Sequence, residues 1–172
     1  MKTKIVLLFA VLLIMGFNTY AQDVPHELQV KLMLKILSMD RNFDRFGDPI
    51  KIGVSSDAFI KALKGEADLK VKGKGFVVEK MASPADVSKY KIIYVSKDWA
   101  AQYKATSAKA VEAKALMFCE TEDGVLAGGG AISFKVLDSK PKIVINIANV
   151  KEQGTEFPAN FLQITVVVGS MN

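Results

Sequence analysis

Cysteine is almost missing: the 172-residue chain holds one, Cys119, so no intramolecular disulfide can form. Histidine is as scarce. His26 is the only one, no carboxylate cluster has metal-ligand spacing, and no G-x-S-x-G elbow accompanies it. These absences leave metal binding and nucleophilic catalysis without their usual residues. No cofactor, no metal and no enzymatic activity are expected. Arginine is limited to Arg41 and Arg45; the other 21 of 23 basic side chains are lysines, scattered among 18 carboxylates. Phosphate or base readout favours clustered arginine forks with interleaved aromatics. The net charge of +5 therefore reads as solubility, with no nucleic-acid partner. KVKGKG, from Lys70, is the single local basic cluster and reads as a solvated turn.

Long apolar runs are absent too, except at the start. MKTKIVLLFAVLLIMGFNTYAQ combines two lysines, an apolar stretch from Ile5 to Phe17 and a small residue, Ala21, at a cut site. This pattern is expected to be a secretory signal peptide over residues 1–21. The stretch is shorter than the roughly 20 residues a spanning helix needs, and no cysteine near the cut could carry a lipid anchor. The expectation is an exported, soluble periplasmic protein whose mature chain does not insert in the membrane. Loss of Lys2 and Lys4 lowers the charge to +3, and residues 22–172 suffice for one domain with a sizeable core. Cys119, in the strand-like run ALMFCE, is expected as a buried, inert thiol.

What is plentiful is alternation of strand and helix signals. HELQVKLMLKILSMDRNF, after Pro25, reads as a helix with one polar stripe, Glu27, Lys31 and Lys35, and apolar residues elsewhere. It is either a core helix or one shared with a second subunit. IKIGVSS, from Ile50, reads as a strand. Asp57 to Gly65 then forms a short helix capped by Ser56 or Asp57. GFVVEKM is a second strand, Ser83-Pro84-Ala85-Asp86 a helix start, KIIYVS a third strand, SAKAVEAKA helical, and ALMFCE a fourth strand. Three glycines introduce AGGGAISFKVLDSKPKIVINIANV, from Ala127. A phosphate loop would need a helix with a Lys and a Ser or Thr just inside it. A strand follows instead, so AISFKVL and KIVINIA make a β-hairpin about Asp138-Ser139-Lys140-Pro141. A segment from Ala148 should end at Gly154, and FPANFLQITVVVG closes the chain; its β-branched residues favour a strand.

Strand–helix repetition with short loops implies right-handed crossovers. The expected fold class is α/β: a three-layer sandwich, its mainly parallel sheet covered by helices on both faces, with an antiparallel edge hairpin. Ligands of such folds bind beyond the carboxyl ends of the strands, where strand order reverses. Ser55, Ser56, Ser96, Lys97 and Glu120 lie there, and could serve a small polar molecule; equally, Ser55 and Ser56 could merely cap the next helix and Lys97 be solvated.

From Glu27 to about Val168 the chain resembles the YfiR/HmsC-like periplasmic proteins. The resemblance rests on Gly129-Gly130-Ala131-Ile132-Ser133-Phe134, the strand ending Ile145-Asn146-Ile147, the helix closing at Gly154 and the end FPANFLQI. MDRNFDRF is similar to the family's FDRN-type variant. The resemblance implies an exported α/β protein without known catalysis that binds the periplasmic part of an inner-membrane diguanylate cyclase or sensor kinase and modulates its output, with effects on cyclic-di-GMP and biofilm formation. Control through paired cysteines does not carry over to a chain with Cys119 alone. A homodimer is expected, and the segment Asp40 to Phe46, taken as exposed, supplies the named partner contacts Phe43, Arg45 and Phe46.

Overall fold

The computed structural model describes residues 23–66 and 69–169; the expected signal peptide lies outside them. Fourteen helical residues, α1 (His26–Met39), end where Asp40 turns extended. The helix is shorter than the apolar pattern suggested: Phe43–Phe46 forms a separate 3-10 turn. The chain then alternates through β1 (Ile50–Val54), α2 (Asp57–Gly65), β2 (Lys70–Val71), β3 (Lys74–Lys80), a 3-10 turn (Pro84–Lys89) and β4 (Ile92–Val95). Next come a 3-10 stretch (Lys97–Gln102), α3 (Tyr103–Ala113), β5 (Leu116–Cys119) and α4 (Asp123–Leu126). β6 (Ile132–Leu137), β7 (Lys140–Asn146), α5 (Ile147–Glu152), α6 (Ala159–Leu162) and β8 (Val166–Val168) complete it.

Eight strands form one sheet in the order β2-β3-β1-β4-β5-β6-β7-β8. β3, β1, β4, β5 and β6 run parallel. β2 is antiparallel to β3, β7 antiparallel to β6, and β8 parallel to β7. The expected α/β sandwich is therefore correct. Its β6–β7 hairpin lies one strand inside the edge, because the terminal VVV adds alongside β7. The hairpin turn is tighter than DSKP: Asp138 and Ser139, with φ of 51° and 58°, make it alone, and Pro141 already pairs with Val136. Two left-handed residues give the twist that joins antiparallel strands in a two-residue loop.

Period-two alternation divides the core into two layers. Ile92, Tyr94, Leu116 and Phe118 face α1 and α2, with Phe59, Leu63, Met33 and Leu37. Ile93, Val95, Met117 and Cys119 face α3 and α4, with Ala110, Tyr103 and Val125. Strands buried on both faces are the reason KIIYV and ALMF contain no polar alternation. Glycine sets the closest contacts in the second layer. A Cβ on Gly53 would stand 2.3 Å from the Tyr90 ring, and one on Gly130 2.3 Å from the Cys119 sulfur. The GGG run thus admits β6 beside a buried cysteine and leads into a strand.

Candidate functional site

After β1 the chain forms β2 and β3 on one side and then crosses to β4 on the other. The strand order therefore reverses between β1 and β4, the place where open α/β sheets present ligand crevices. Ser55 and Ser96 stand at that point. The Ser96 N–H donates to Ser55 Oγ at 2.7 Å, and the Ser55 hydroxyl donates to Ser96 Oγ at 3.1 Å. One strand further, the Lys97 N–H donates to Glu120 Oε2 at 2.9 Å, and His26 Nε2 meets Glu120 Oε1 at 3.2 Å. Ser56 is the cap of α2, accepting from the Phe59 N–H at 3.2 Å.

Four of the five predicted strand-end residues thus gather at one place, while Ser56 serves the following helix. Their polar atoms are spent on one another and on Asp23 and His26. Ser55, Ser96 and Glu120 are only 7%, 1% and 8% exposed, because the residues before α1 lie across the strand ends. Lys97 Nζ donates to Asp23 at 2.6 Å, Val24 is buried, and the Gln29 side-chain amide donates to the Val24 carbonyl at 2.7 Å. The Tyr94 hydroxyl in turn donates to Gln29 Oε1 at 2.9 Å. Burial raises the Tyr94 phenol well above the usual tyrosine range, with Glu120 adding to the effect, so the hydroxyl remains a donor. Asp23 also raises the Lys97 ammonium, chiefly through their hydrogen bond. Sequence spacing held no sign of this cover: His26 and Glu120 are 94 positions apart.

The segment from Asp40 to Phe46 departs from expectation. Phe43 and Phe46 are 1% and 2% exposed and pack edge-to-face at 5.6 Å, so neither presents a contact surface. Arg45 is half-buried over the Phe46 ring. Its two terminal nitrogens donate to the Lys114 carbonyl (2.6 Å) and the Thr155 hydroxyl (2.7 Å). Burial lowers its pKa, and Asp40 partly offsets the shift. Arg45 therefore ties α1's exit to α3 and to the loop after α5, and a charge reversal there would disturb the fold. The KVKGKG cluster is likewise more than a solvated turn. Lys72 donates to the Asp40 carbonyl at 2.9 Å and Lys74 pairs with Asp44 at 3.0 Å, both near the Phe43 ring.

An open cleft of about 630 Å³ is bordered by Arg41, Asn42, Thr155, Glu156, Phe157 and Leu162, and Arg45 bonds the Thr155 hydroxyl there. Arg41 bonds Glu156 at 3.0 Å across its rim, and both side chains are more than half exposed. Cys119 is free and fully buried, and desolvation raises its thiol far above the ordinary value. Among the described residues, no group of three or more His, Cys, Asp or Glu could hold a metal, and no helix is long and apolar enough to cross a membrane.

Comparison with known proteins agrees with this architecture. The profile of the YfiR/HmsC-like family matches residues 39–165, and the chain belongs to that family. No curated protein sequence matches it. Among solved structures, it resembles the ligand-free, open form of CD0873, a substrate binding protein with adhesive properties from Clostridium difficile. That match has a TM-score of 0.60 at 17% identity, covering 87% of this chain and 61% of the other. A conserved domain protein from Vibrio cholerae O1 biovar El Tor gives 0.58 at 16%, covering 84% and 60%. The ABC domain from Streptococcus pneumonia in complex with L-Trp gives 0.56 at 16%, again covering 84% and 60%. At these identities the likeness is one of fold, and the chain spans about three fifths of each structure's length.

Proposed function

We propose that the protein is an exported regulator that docks on the periplasmic part of an inner-membrane signalling protein, a diguanylate cyclase or a sensor kinase, and modulates its output. The supporting observation is the family membership over residues 39–165, joined to a strand-end crevice whose polar groups are already satisfied by one another. Docking acts by population: a regulator that prefers one receptor conformation shifts the equilibrium by no more than its differential affinity. The proposed contact surface is the cleft rim of Arg41, Asn42 and Glu156; Phe43 and Phe46 are buried, and Arg45 is bonded to Thr155 of the cleft.

The test is crosslinking of the exported protein in intact cells, followed by identification of captured membrane proteins. Wild type should capture a cyclase or kinase with a periplasmic sensor segment, and Arg41→Glu should lose it. The Arg41–Glu156 pair is solvent-exposed, so its removal costs the fold little. Capture by neither protein, or equally by both, would count against the reading.

A second reading places a small molecule in the same cleft; among the structural neighbours, one is a substrate binding protein and another a domain in complex with L-Trp. A ligand that binds only the native state must stabilise it. A metabolite panel that leaves the melting temperature unchanged would remove this reading. Ser55, Ser96, Lys97 and Glu120 would contribute to ligand binding only if residues 23–26 moved aside.

A further inference from the structure

The amino ends of four neighbouring strands share one residue type. In the sheet order β3, β1, β4 and β5, Lys74 opens the first, Lys51 is second in the next, Lys91 immediately precedes β4 and Lys114 lies two residues before β5. Strands are about 4.8 Å apart, so this row of cations spans roughly 14 Å. Lys51 and Lys91 form its centre. Ile52 pairs with Ile92, and the Lys91 N–H donates to the Lys51 carbonyl at 3.2 Å, so the two lysines stand directly opposite each other. Alternation puts both side chains on the α3 side of the sheet, because Ile50, Ile52 and Ile92 belong to the other layer. That corner of the sheet is bare: Lys51 and Lys91 are exposed, and Val77, opposite Lys51 on β3, is 38% exposed.

Like charges set across two strands repel. Among the described residues, neither Lys51 nor Lys91 has a carboxylate partner. Glu79 is on the same face of β3, but stands opposite Gly53. Lys114 Nζ donates to the Glu152 carbonyl at 2.7 Å, which leaves its charge unneutralised. Lys74 is paired, with Asp44. Cations towards the other end of the sheet differ: Lys80, Lys97 and Lys135 each meet a carboxylate, Asp57, Asp23 and Glu122. The fold thus keeps a repulsion at Lys51 and Lys91 without an internal counter-charge.

We infer that this lysine row is a site for an anionic lipid surface, by which the processed protein lies against the phosphate headgroups of a bilayer without inserting in it. The inference does not depend on which receptor is bound. Residue type selects the occupant. A discrete phosphate calls for an arginine fork or converging N–H groups, whereas compact lysine charges on flexible stems suit a diffuse negative surface. Without Lys2 and Lys4 the processed chain carries only +3, so attraction depends on where the charge is concentrated. Arg45 links the row to the cleft, since it bonds both the Lys114 carbonyl and Thr155. A protein held by the row therefore presents the Arg41 cleft close to the membrane, where the periplasmic part of a receptor begins.

The processed protein is sedimented with vesicles of phosphatidylcholine and phosphatidylglycerol in equal parts, and with vesicles of phosphatidylcholine alone. The expected result is binding to the first only, weakening as salt is raised. Each lysine near an anionic surface contributes about fivefold in affinity, so the double variant Lys51→Gln/Lys91→Gln should bind roughly 25-fold more weakly. Lys31→Gln/Lys35→Gln removes two exposed lysines from α1 at the same change in net charge, and should bind as wild type does. Thermal melts check the fold: with the repulsion relieved, Lys51→Gln/Lys91→Gln should melt no lower than wild type. No binding to the phosphatidylglycerol vesicles, or an equal loss in both double variants, would overturn the inference. A lower melting temperature for Lys51→Gln/Lys91→Gln would also overturn it, by showing that the two lysines serve the fold. So would displacement by millimolar inorganic phosphate, which marks a discrete anion site, or capture by polyglutamate beads in place of the vesicles, which marks an acidic protein partner.

Discussion

Arg45 and Cys119 owe their behaviour to what surrounds them. Arg45→Ala would leave the Lys114 carbonyl and the Thr155 hydroxyl without the donors they now have. Hydrogen bonds to charged groups contribute about 1.5–3 kcal/mol each, and partial exposure puts the loss near the lower end. Urea unfolding should show a drop of about 2 kcal/mol, and an unchanged midpoint would mean water replaces the guanidinium without cost. For Cys119 the neighbour is Gly130. Gly130→Ala would force a methyl group onto the sulfur, with a cost of roughly 1–3 kcal/mol typical of overpacking. In the double variant with Cys119→Ala the cost should shrink, though not vanish, because the Gly124 carbonyl remains 3.0 Å from the same methyl position. Thermal melts of the four proteins in that cycle test the coupling.

Single elements obey local rules where their ends are polar. The Ser56 side chain accepts from the Phe59 N–H in the first turn of α2, so Ser56→Ala should cost about 1 kcal/mol. The β6–β7 turn offers the opposite change. Ser139 sits at φ 58°, a conformation costing an L-residue about 1–2 kcal/mol, part of which glycine returns as unfolded-state entropy. Ser139→Gly should raise the melting temperature; a fall would mean that the serine hydroxyl contributes more than the strain. Both elements were legible in the sequence, because capping and turn chemistry lie within three or four residues. The 3-10 turn at Phe43–Phe46 was not. Its aromatic and charged residues suggest an exposed surface in isolation, and only the arrival of β2, β3 and the loop after α5 buries the rings.

For the whole molecule, three buried acids act together at high pH. Burial raises Cys119 and Tyr94 strongly and Tyr103 to about 12. The native state therefore holds these protons after the unfolded chain has released them. Their contribution to stability is full below the unfolded values, near 9 for the thiol and 10 for the phenols. It declines as pH rises through that range towards the folded values. Urea midpoints should accordingly fall between pH 8 and the alkaline limit of the experiment, and a flat profile would contradict the burial of these groups. Cys119 should also resist alkylation at pH 8 until the protein is denatured.

The sequence by itself determined the α/β class, the order of nearly all elements, the buried free thiol and the family, because periodicity, caps and turns are local signals. It also placed Ser55, Ser96, Lys97 and Glu120 at the strand ends through a rule of topology. Tertiary structure decided the rest. It closed that crevice with residues 23–26, buried Phe43 and Phe46 and half-buried Arg45 where exposed partner contacts were expected, and seated β8 outside the hairpin. Each of these depends on groups up to 110 or more positions apart meeting in space, as Arg45 does with Thr155 and Arg41 with Glu156. Such meetings follow from packing of whole layers against one another, and no window of neighbouring residues contains that information.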